Sequence, residues 1–361
     1  MKILITGNMG YIGPAVVSQL RETYPSAMLI GCDMGYFGSC LTNTTTLPEN
    51  KLDMQVFGDV RKLSPEVLHN VDVIVHLAAI SNDPMGTRYE EVTMDVNHKS
   101  SVAIAKAAKA AGVKAFIFAS SCSMYGAAEG GPRTEQSALN PLTAYARSKA
   151  LTEQDLKPLA DDSFTVTCLR FATACGMSSR LRLDLVLNDF VAGAVAGGKI
   201  SILSDGSPWR PLIHIKDMAR AIDWAVSRNP DSSGTFLAVN AGCNEWNYQV
   251  RQIAYTVAEV IPETTVTFNP DTLPDKRSYK VDFNLFKLLA PHHQPRYTLQ
   301  QTIQELHEGL LAMNFADNNF RNSLSMRLKV LTHLQDQDLI NHKLEWTCKT
   351  AESSSSKVKA A

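Results

Sequence analysis

The chain has 361 residues, which exceeds one typical hydrophobic core, and its hydrophobic fraction of 45% is that of an ordinary globular protein. Its formal net charge of −1 gives no reason to expect a nucleic acid or an anionic membrane as a partner, and no apolar run reaches the roughly 18 residues of a membrane span. The first residues lack the regions of a signal peptide, and the 7 cysteines are scattered without a C-x-x-C pair, so we expect a cytoplasmic protein with no disulfide scaffold and no metal site.

The first predicted elements are a strand, a glycine-rich turn and a helix. Residues 2–6 are apolar and include β-branched side chains, and a helix is predicted over residues 14–23. Between them the glycines have the spacing G-x-x-G-x-x-G, which lets the backbone turn tightly and approach a pyrophosphate, while the helix N-terminus offers N–H groups and the positive end of a dipole. The predicted dinucleotide site consists of Gly7, Gly10, Tyr11, Ile12 and Gly13.

A carboxylate follows the second predicted strand. This strand covers residues 28–30 and ends near Asp33. A carboxylate at this place can accept hydrogen bonds from both ribose hydroxyls of NAD and would repel the 2′-phosphate of NADP. A glycine-rich turn without function is the alternative, but the turn, the helix and the acid together favour NAD as the cofactor.

Strands and helices alternate up to about residue 170. Further strands are predicted over residues 54–57, 71–76, 115–119 and 165–169, and a long helix over residues 92–111. This alternation is typical of an α/β fold with a Rossmann-type doubly wound parallel sheet, in which ligands bind beyond the carboxyl ends of the strands. The residues that follow predicted strands are therefore expected to share one site, and they are Asp33, Asp59, Ala78, Ala79 and Ser121.

Tyr145 and Lys149 lie four residues apart in a segment, 144–155, that is predicted to be helical. Side chains at this spacing leave the same helix face, and an adjacent cation favours the ionised form of a phenol, whose usual pKa is ~10. Tyr145 is therefore a candidate general base or acid. A tyrosine and a lysine also occur at this spacing by chance on helix surfaces, and the preceding dinucleotide motif is what favours the catalytic interpretation.

Past residue 170 the predicted elements are shorter and the strict alternation ends, which predicts a smaller C-terminal α/β region over residues 171–312. Residues 313–352 form a charged amphipathic extension, which is more typical of a packed helix pair than of a partner-binding module. Its helical stripe consists of Met326, Leu328, Leu331 and Leu334. Residues 353–361 are rich in Ser and Lys, have little to bury and are predicted to be disordered.

These motifs occur in the order found in a known family. The glycine turn, Asp59, the segments 76–79 and 120–126, and the Tyr145 and Lys149 pair resemble the extended short-chain dehydrogenase/reductases, specifically the NAD-dependent nucleotide-sugar epimerases and dehydratases, over about residues 1–310. The resemblance implies an NAD-binding domain over residues 1–170, to which some later segments return, and a region over residues 171–312 that binds a nucleotide-diphosphate sugar. To the NAD site it adds Asp59, Val60, Leu77, Ala78, Ala79, Tyr145 and Lys149.

The resemblance also implies catalytic and substrate-binding residues. Tyr145 removes the proton of the sugar C4 hydroxyl, Ser121 hydrogen-bonds the oxygen that loses it, and Lys149 holds the cofactor ribose and lowers the pKa of the phenol. The implied substrate-binding residues are Ser81, Ser121, Ser123, Asn188, Arg210 and Arg277. Guanidinium groups suit a diphosphate because their fork donates two parallel bonds. A structural ion pair is the alternative for each arginine, and a local turn cap is the alternative for Asn188.

The serine segment distinguishes the reactions of the family. The 4,6-dehydratases carry a Glu at the place of Ser123 and an Asp at the place of Cys122, and neither residue here can protonate a leaving hydroxyl as those acids do. The chain therefore resembles a 4-epimerase, although Thr173 and Cys175 stand where the family usually has Asn and Tyr. A reductase of a 4-keto nucleotide sugar that consumes NAD(P)H and a non-catalytic dinucleotide-binding sensor are the alternatives.

Two predicted helices bear on assembly. Residues 97–111 are rich in alanine, and the Tyr145 helix continues through Ala150, Leu151 and Leu156. Small side chains permit close helix contacts, and in the resembled family two such helices per subunit pair across a two-fold axis, so a homodimer is expected. The alternative is that these helices pack only on the sheet of their own chain.

Overall fold

The structure, a computed structural model, describes residues 1–128, 130–269 and 277–347. Its first part contains, in chain order, β1 (Lys2–Thr6), α1 (Gly13–Thr23), β2 (Met28–Asp33), β3 (Met54–Phe57), β4 (Val73–His76), α2 (Asp83–Arg88), α3 (Glu90–Met94), α4 (Ser100–Ala110), β5 (Ala115–Ser121), α5 (Ala144–Leu156) and β6 (Thr165–Phe171). The second part contains β7 (Thr173–Cys175), α6 (Val186–Gly197), β8 (Lys199–Ile202), β9 (Trp209–His214), α7 (Ile215–Val226), β10 (Phe236–Ala241), β11 (Asn247–Gln249), α8 (Val250–Val260), β12 (Thr265–Phe268), α9 (Asn284–Leu289), α10 (Leu299–Ala312) and α11 (Arg327–Asp336). The tail predicted to be disordered, residues 353–361, lies outside the described residues.

Seven parallel strands form the central sheet in the order β10–β6–β5–β4–β1–β2–β3. The strand order reverses between β1 and β4, so the predicted doubly wound α/β sheet is confirmed. Such a sheet is covered by helices on both faces, and every residue of β4 is correspondingly buried. The crevice expected for a ligand therefore lies beyond the carboxyl ends of β1 and β4.

The predicted helix over residues 92–111 is not one regular helix, because a wider π-helical turn, Asp95–Lys99, joins α3 to α4. Its buried residue Asn97 accepts a hydrogen bond from the Ile80 backbone N–H at 2.8 Å and donates to the Ile80 carbonyl at 3.0 Å. The same amide donates to the Ser148 hydroxyl at 3.1 Å. Turns of this kind often mark functional regions of helices, and this one ties the loop after β4 to the face of α5.

The second region is built on two small sheets, β11–β9–β7 and β12–β8. It is joined to the first region through α7, which packs against α1 and against the central sheet. Gln19 on α1 donates to the Asp223 carboxylate on α7 at 3.0 Å. Within the described ranges, no helix is both long and apolar enough to cross a membrane.

The C-terminal extension has one α-helix in its described part, α11, and not the predicted packed pair. A short 3-10 turn, Phe320–Asn322, precedes the helix, and a hairpin closed by a bridge between Ile340 and Trp346 follows it. Residues 313–323 are rich in Asn, Asp and Ser, whose side chains compete for backbone hydrogen bonds and disfavour a helix. Three residues of the predicted stripe, Leu328, Leu331 and Leu334, pack on the segments after β2 and β4, in a cluster that includes Tyr36, Phe37, Ile80, Met85 and Tyr89. Met326 packs against the main core instead.

Candidate active site

A cleft of about 780 Å³ runs along the carboxyl ends of the central strands. Loops that follow β1, β2, β4 and β5 form one side of it, and residues near β9, α6 and α11 form the other. The cleft brings together all predicted site residues except Asn188, namely Gly7, Gly10, Tyr11, Ile12, Gly13, Asp33, Asp59, Val60, Leu77, Ala78, Ala79, Ser81, Ser121, Ser123, Tyr145, Lys149, Arg210 and Arg277. Residues far apart in the chain meet here because parallel strands end at one edge of the sheet.

The glycine turn after β1 has a shape that only glycines allow. Gly7 has a φ of +76°, in the left-handed region, and a Cβ there would lie 2.5 Å from the Ala78 nitrogen. A Cβ at Gly13 would lie 1.9 Å from the Asn8 carbonyl oxygen. No described side chain caps the N-terminus of α1; Pro14 has no N–H and the Ala15 N–H donates to the Ile12 carbonyl, so the Gly13 N–H is the one in this turn that a ligand can use. The residues present therefore fit the pyrophosphate of a dinucleotide.

Two carboxylates lie next to this turn. Asp33 ends β2, and its carboxylate accepts hydrogen bonds from the Met9 N–H at 3.1 Å and the Gly35 N–H at 2.7 Å. Desolvation raises the pKa of Asp33, and these two backbone donors partly oppose that rise. Asp59 accepts from the backbone N–H of Arg61 at 2.8 Å and from its Nε at 2.9 Å. Asp59 is thereby ion-paired with Arg61, and the carboxylate of Asp33 is the one that suits ribose hydroxyls and disfavours an additional phosphate.

Ser121, Tyr145 and Lys149 meet in the cleft at the end of β5. The Ser121 hydroxyl is hydrogen-bonded to the Tyr145 phenol and donates to the Ser123 Oγ at 2.9 Å. The Lys149 Nζ lies 5.7 Å from the centroid of the Tyr145 ring and donates to the Ala119 carbonyl at 2.7 Å. The spacing of four residues on α5 therefore places the phenol and the amine on the same side of the helix.

Desolvation dominates the pKa values of this pair. It raises the pKa of Tyr145, against the Ser121 hydrogen bond and the positive charge of Arg182, both of which lower it. It also lowers the pKa of Lys149 to about 7. Lys149 is thus only partly charged near neutral pH, and the protein alone does not lower the pKa of the phenol as the sequence led us to expect. The cation that acts on Tyr145 is Arg182.

Arg182 was missed by reasoning from the sequence. Its guanidinium pairs with Asp184 at 2.6 Å, and its Nη1 donates to the Ser81 hydroxyl at 2.8 Å. Asp184 in turn accepts a hydrogen bond from Asn82, so the pair is tied to the loop after β4. The bond between Arg182 and Ser81 joins segments about a hundred residues apart in the chain. The local sequence showed only an arginine and an aspartate two residues apart, in a segment with no strand pattern.

Arg210 and Arg277 both line the cleft. Arg210 donates to the carbonyls of Trp209 and Arg277, and the Arg277 guanidinium pairs with the carboxylate of Asp83. The ion pair that was the structural alternative for Arg277 is therefore present. Two guanidinium groups in one cleft still suit a diphosphate. Residues 270–276, which directly precede Arg277, lie outside the described residues.

Asn188 is the one predicted site residue that the structure places outside the cleft. It is fully buried on α6, where its amide accepts a bond from the Gly176 N–H at 3.2 Å. Its Nδ2 donates to the Tyr11 hydroxyl at 3.0 Å and to the Arg182 carbonyl at 2.9 Å. In this structure the amide of Asn188 holds Tyr11 and the Arg182 backbone in place, and its binding of a diphosphate stays a prediction.

The acids of a dehydratase have no counterpart beside Ser121. Cys122 is buried, its thiol donates to the Arg170 carbonyl at 3.0 Å, and desolvation raises its pKa. In the described part of the cleft, each carboxylate is bonded to an arginine or to backbone N–H groups; these residues are Asp33, Asp59, Asp83, Asp184 and Asp189. Among the same described residues, no group of three or more metal-ligating side chains could hold a metal ion.

Comparisons with known proteins agree with this geometry. A family model described as the NAD dependent epimerase/dehydratase family matches residues 3–242. The chain is 26% identical to a UDP-glucose 4-epimerase of Lactobacillus helveticus, over 62% of this chain and 69% of the relative. It is 25% identical to a dTDP-D-glucose 4,6-dehydratase of Mus musculus, over 83% of this chain and 81% of the relative. Among solved structures, MoeE5 in complex with UDP-glucuronic acid and NAD has a TM-score of 0.74 at 23% identity, covering 87% of this chain and 100% of MoeE5.

Proposed function

The chain belongs to the NAD-dependent epimerase/dehydratase family, and on that premise we propose that it epimerises a nucleotide-diphosphate sugar at C4 through a transient 4-keto intermediate. The observation that carries the proposal is the meeting of Ser121, Tyr145 and Lys149 in a cleft without a free carboxylic acid next to them among the described residues. Those three groups can move a proton to and from a hydroxyl. The residues around them cannot expel a second hydroxyl by protonating it.

The proton moves between the sugar and the Tyr145 Oη. As a phenolate, Tyr145 removes the proton of the C4 hydroxyl, and Ser121, already bonded to that phenol, hydrogen-bonds the same sugar oxygen. Arg182 stabilises the phenolate, whereas Lys149, whose pKa is about 7, contributes only part of a charge. NAD would be held by the glycine turn and Asp33, and it would supply a hydride acceptor and a positive charge. With this hydride acceptor, the hydrogen removed from C4 would be returned to the opposite face, so the sugar would be neither oxidised nor reduced overall.

The substrate class follows from the arginines and from the relatives. Arg210 and Arg277 on one side of the cleft suit the diphosphate, and Ser81 and Ser123 add hydroxyls next to the catalytic group. The Arg277 pair with Asp83 must rearrange if that arginine binds phosphate oxygens. Because the sequence relatives include an enzyme named as a UDP-glucose 4-epimerase, we infer a UDP-linked hexose as the substrate.

We also infer that the protein is a homodimer through α4 and α5. Ala103, Ala107 and Ala110 are exposed along one side of α4, and Leu151 on α5 is 38% exposed. Leu156, in contrast, is fully buried in the core of its own chain and is not available to a partner. Small exposed side chains at this spacing permit close approach of a second pair of helices.

The six cysteines among the described residues are all free thiols, which is consistent with a cytoplasmic location.

The proposal is tested by following purified protein and NAD with UDP-glucose, UDP-galactose and other nucleotide hexoses and uronates by NMR, with no added reductant. We expect interconversion of C4 epimers, constant total cofactor and no 4-keto-6-deoxy product. Reduction of a 4-keto nucleotide sugar with stoichiometric loss of NADH would show the reductase instead. Bound NAD without turnover of any nucleotide sugar would favour the sensor.

A further inference from the structure

The C-terminal extension contributes a buried arginine to the cleft. Arg327, the first residue of α11, is only 1% exposed and lines the cleft. Its Nη2 donates to the Arg180 carbonyl at 2.6 Å, and its guanidinium lies 4.4 Å from the centroid of the Phe37 ring. Its Nη1 is buried and has no hydrogen-bond partner among the described residues. A buried charged donor without a hydrogen-bond acceptor is costly for the protein alone.

The charges around Arg327 leave it short of an anion. Arg182 repels it, and the nearby carboxylate of Asp184 is already paired with Arg182 at 2.6 Å. Desolvation, with that repulsion, lowers the pKa of Arg327 to about 10, although the Cys40 thiol, which is hydrogen-bonded to the guanidinium, and the Asp184 carboxylate both oppose the decrease. No described side chain caps the N-terminus of α11, so backbone N–H groups of its first turn are also available beside the guanidinium. An anionic ligand in the cleft would accept hydrogen bonds from both the Arg327 guanidinium and these backbone N–H groups.

The position of Arg327 indicates which anion this is. The Arg180 backbone N–H donates to the Ser178 hydroxyl at 3.1 Å, and Ser178 donates to the carbonyl of Tyr11 in the glycine turn at 2.7 Å. On its other side, the Arg180 guanidinium donates to the carbonyls of Phe37 and Gly38, in the loop that follows Asp33. Arg180, whose carbonyl binds Arg327, thus links the phosphate-binding turn to the loop of the ribose acid. The pyrophosphate of a dinucleotide lies between the same two features.

We propose that Arg327 binds the pyrophosphate of the dinucleotide cofactor and that the extension closes over the cofactor as a cap. We define the cap as residues 320–347. The proposal rests on NAD as the cofactor of the proposed function and not on the sugar reaction itself. Nothing in the glycine turn supplies a cation, so Arg327 adds a charge that the backbone N–H groups of that turn lack.

The cap is fastened to the walls of the cofactor cleft. The Tyr36 hydroxyl donates to the Leu344 carbonyl, and the Trp346 Nε1 donates to the Met34 carbonyl at 2.7 Å. Arg61, the partner of Asp59, donates to the Lys343 carbonyl at 2.7 Å. These bonds hold the cap on the loops that follow β2 and β3, at the adenosine end of the cleft. A cofactor covered in this way exchanges slowly, which suits a reaction that does not consume it.

The test measures binding by isothermal titration calorimetry on full-length protein freed of cofactor. The variants are Arg327→Gln and Arg327→Lys, and Lys329→Gln is the matched control on the same helix, away from the cleft lining. The ligands are NAD, ADP, adenosine and UDP. For Arg327→Gln we expect the Kd of NAD and of ADP to rise about 10- to 100-fold, since bonds to a charged group have that worth. Adenosine and UDP should bind to this variant as they bind to the wild type. For Arg327→Lys, the Kd values of NAD and ADP should lie between those of the wild type and of Arg327→Gln.

Unchanged NAD and ADP affinity in Arg327→Gln would overturn the proposal. A larger effect on UDP than on ADP would overturn it too, because the anion would then be the diphosphate of the sugar nucleotide. Thermal unfolding separates binding from a structural role. In Arg327→Gln we expect a large loss of the Tm increase that NAD produces, and only a small decrease in the Tm of the cofactor-free protein. If Arg327→Gln does not fold, Arg327→Lys still decides, because it keeps the charge and loses the fork. Epimerisation plays no part in these readouts, so a failed sugar reaction would not alter their outcome.

Discussion

The Nζ of Lys149 lies 5.7 Å from the centroid of the Tyr145 ring, and the amine is hydrogen-bonded to the Ala119 carbonyl and not to a carboxylate. Desolvation therefore lowers the pKa of Lys149 to about 7 and raises that of Tyr145. The two side chains have the arrangement needed for proton transfer, but the protein alone does not ionise the phenol. Full activation thus requires further positive charge, which a bound oxidised cofactor would bring.

Replacing Tyr145 by Phe removes the proposed base while keeping the ring. We expect turnover to fall by a factor of about 10² or more, the usual worth of general acid–base catalysis, with NAD binding and folding retained. Steady-state kinetics and NAD titration check this result. Tyr255→Phe, at an exposed tyrosine on α8, serves as the control and should be fully active. A nearly fully active Tyr145→Phe variant would place the base elsewhere.

The lowered pKa of Lys149 predicts how stability depends on pH. Between pH about 7 and pH about 10 the unfolded chain holds a proton on this amine that the folded chain has released, so the free energy of unfolding rises with pH. Below pH 7 both the folded and the unfolded chain hold this proton, so the folded protein bears the full free-energy cost of burying a charged amine. Relative to Lys149→Met, cofactor-free wild type should gain up to about 1 kcal/mol per pH unit over this window. Urea unfolding at pH 7, 8 and 9 measures the difference, and parallel profiles would contradict the assigned pKa.

Asp33 should determine the choice between the two dinucleotides. Its carboxylate beside a 2′-phosphate costs binding energy through charge repulsion, so the wild type should bind NAD more tightly than NADP. Asp33→Asn removes the charge and Asp33→Ala removes the whole group, and both variants should show a smaller difference between the affinities for NAD and NADP. Titration of both cofactors into cofactor-free protein gives the answer. Equal or tighter binding of NADP by the wild type would show that Asp33 does not face the ribose.

The proposed dimer should be sensitive to charge on the exposed faces of α4 and α5. Leu151→Arg places a guanidinium where the partner helix would pack, and we expect this variant to be a monomer of 39.6 kDa. Leu288→Arg, on an exposed position of α9, should leave the wild-type assembly unchanged. Light scattering at micromolar concentration compares the three proteins. A monomer mass for the wild-type protein would contradict the proposed dimer.

The elements that depend on local pattern were predictable from the sequence. The glycine turn, the strands of the central sheet and the helix that carries Tyr145 and Lys149 each follow from the order of residues within one short segment. Their meeting in one cleft also followed, because parallel strands end at a common edge. The π-helical turn at Asn97 was not predictable, since its reason is a set of bonds to Ile80 and Ser148, which are distant in the chain.

The surroundings of residues that depend on tertiary partners could not be predicted from the sequence. Asn188 has a side chain that suits phosphate, yet α6 directs it toward Tyr11 and the Arg182 carbonyl. Arg182 and Arg327 come from segments without a recognisable motif, and they reach the cleft through the packing of the second region and of the extension. The pKa of Lys149 also required the structure, because desolvation is set by the surrounding core and not by spacing along α5.

The fate of the hydrogen on C4 tests the central claim most directly. Purified protein is incubated with NAD and UDP-glucose carrying deuterium at C4, and the sugar is followed by NMR until the epimers reach equilibrium. We predict UDP-galactose with the deuterium still on C4, because the hydride returns to the carbon from which it left. Epimerisation with exchange of the label for solvent hydrogen, or conversion to a 4-keto-6-deoxy sugar, would contradict the account.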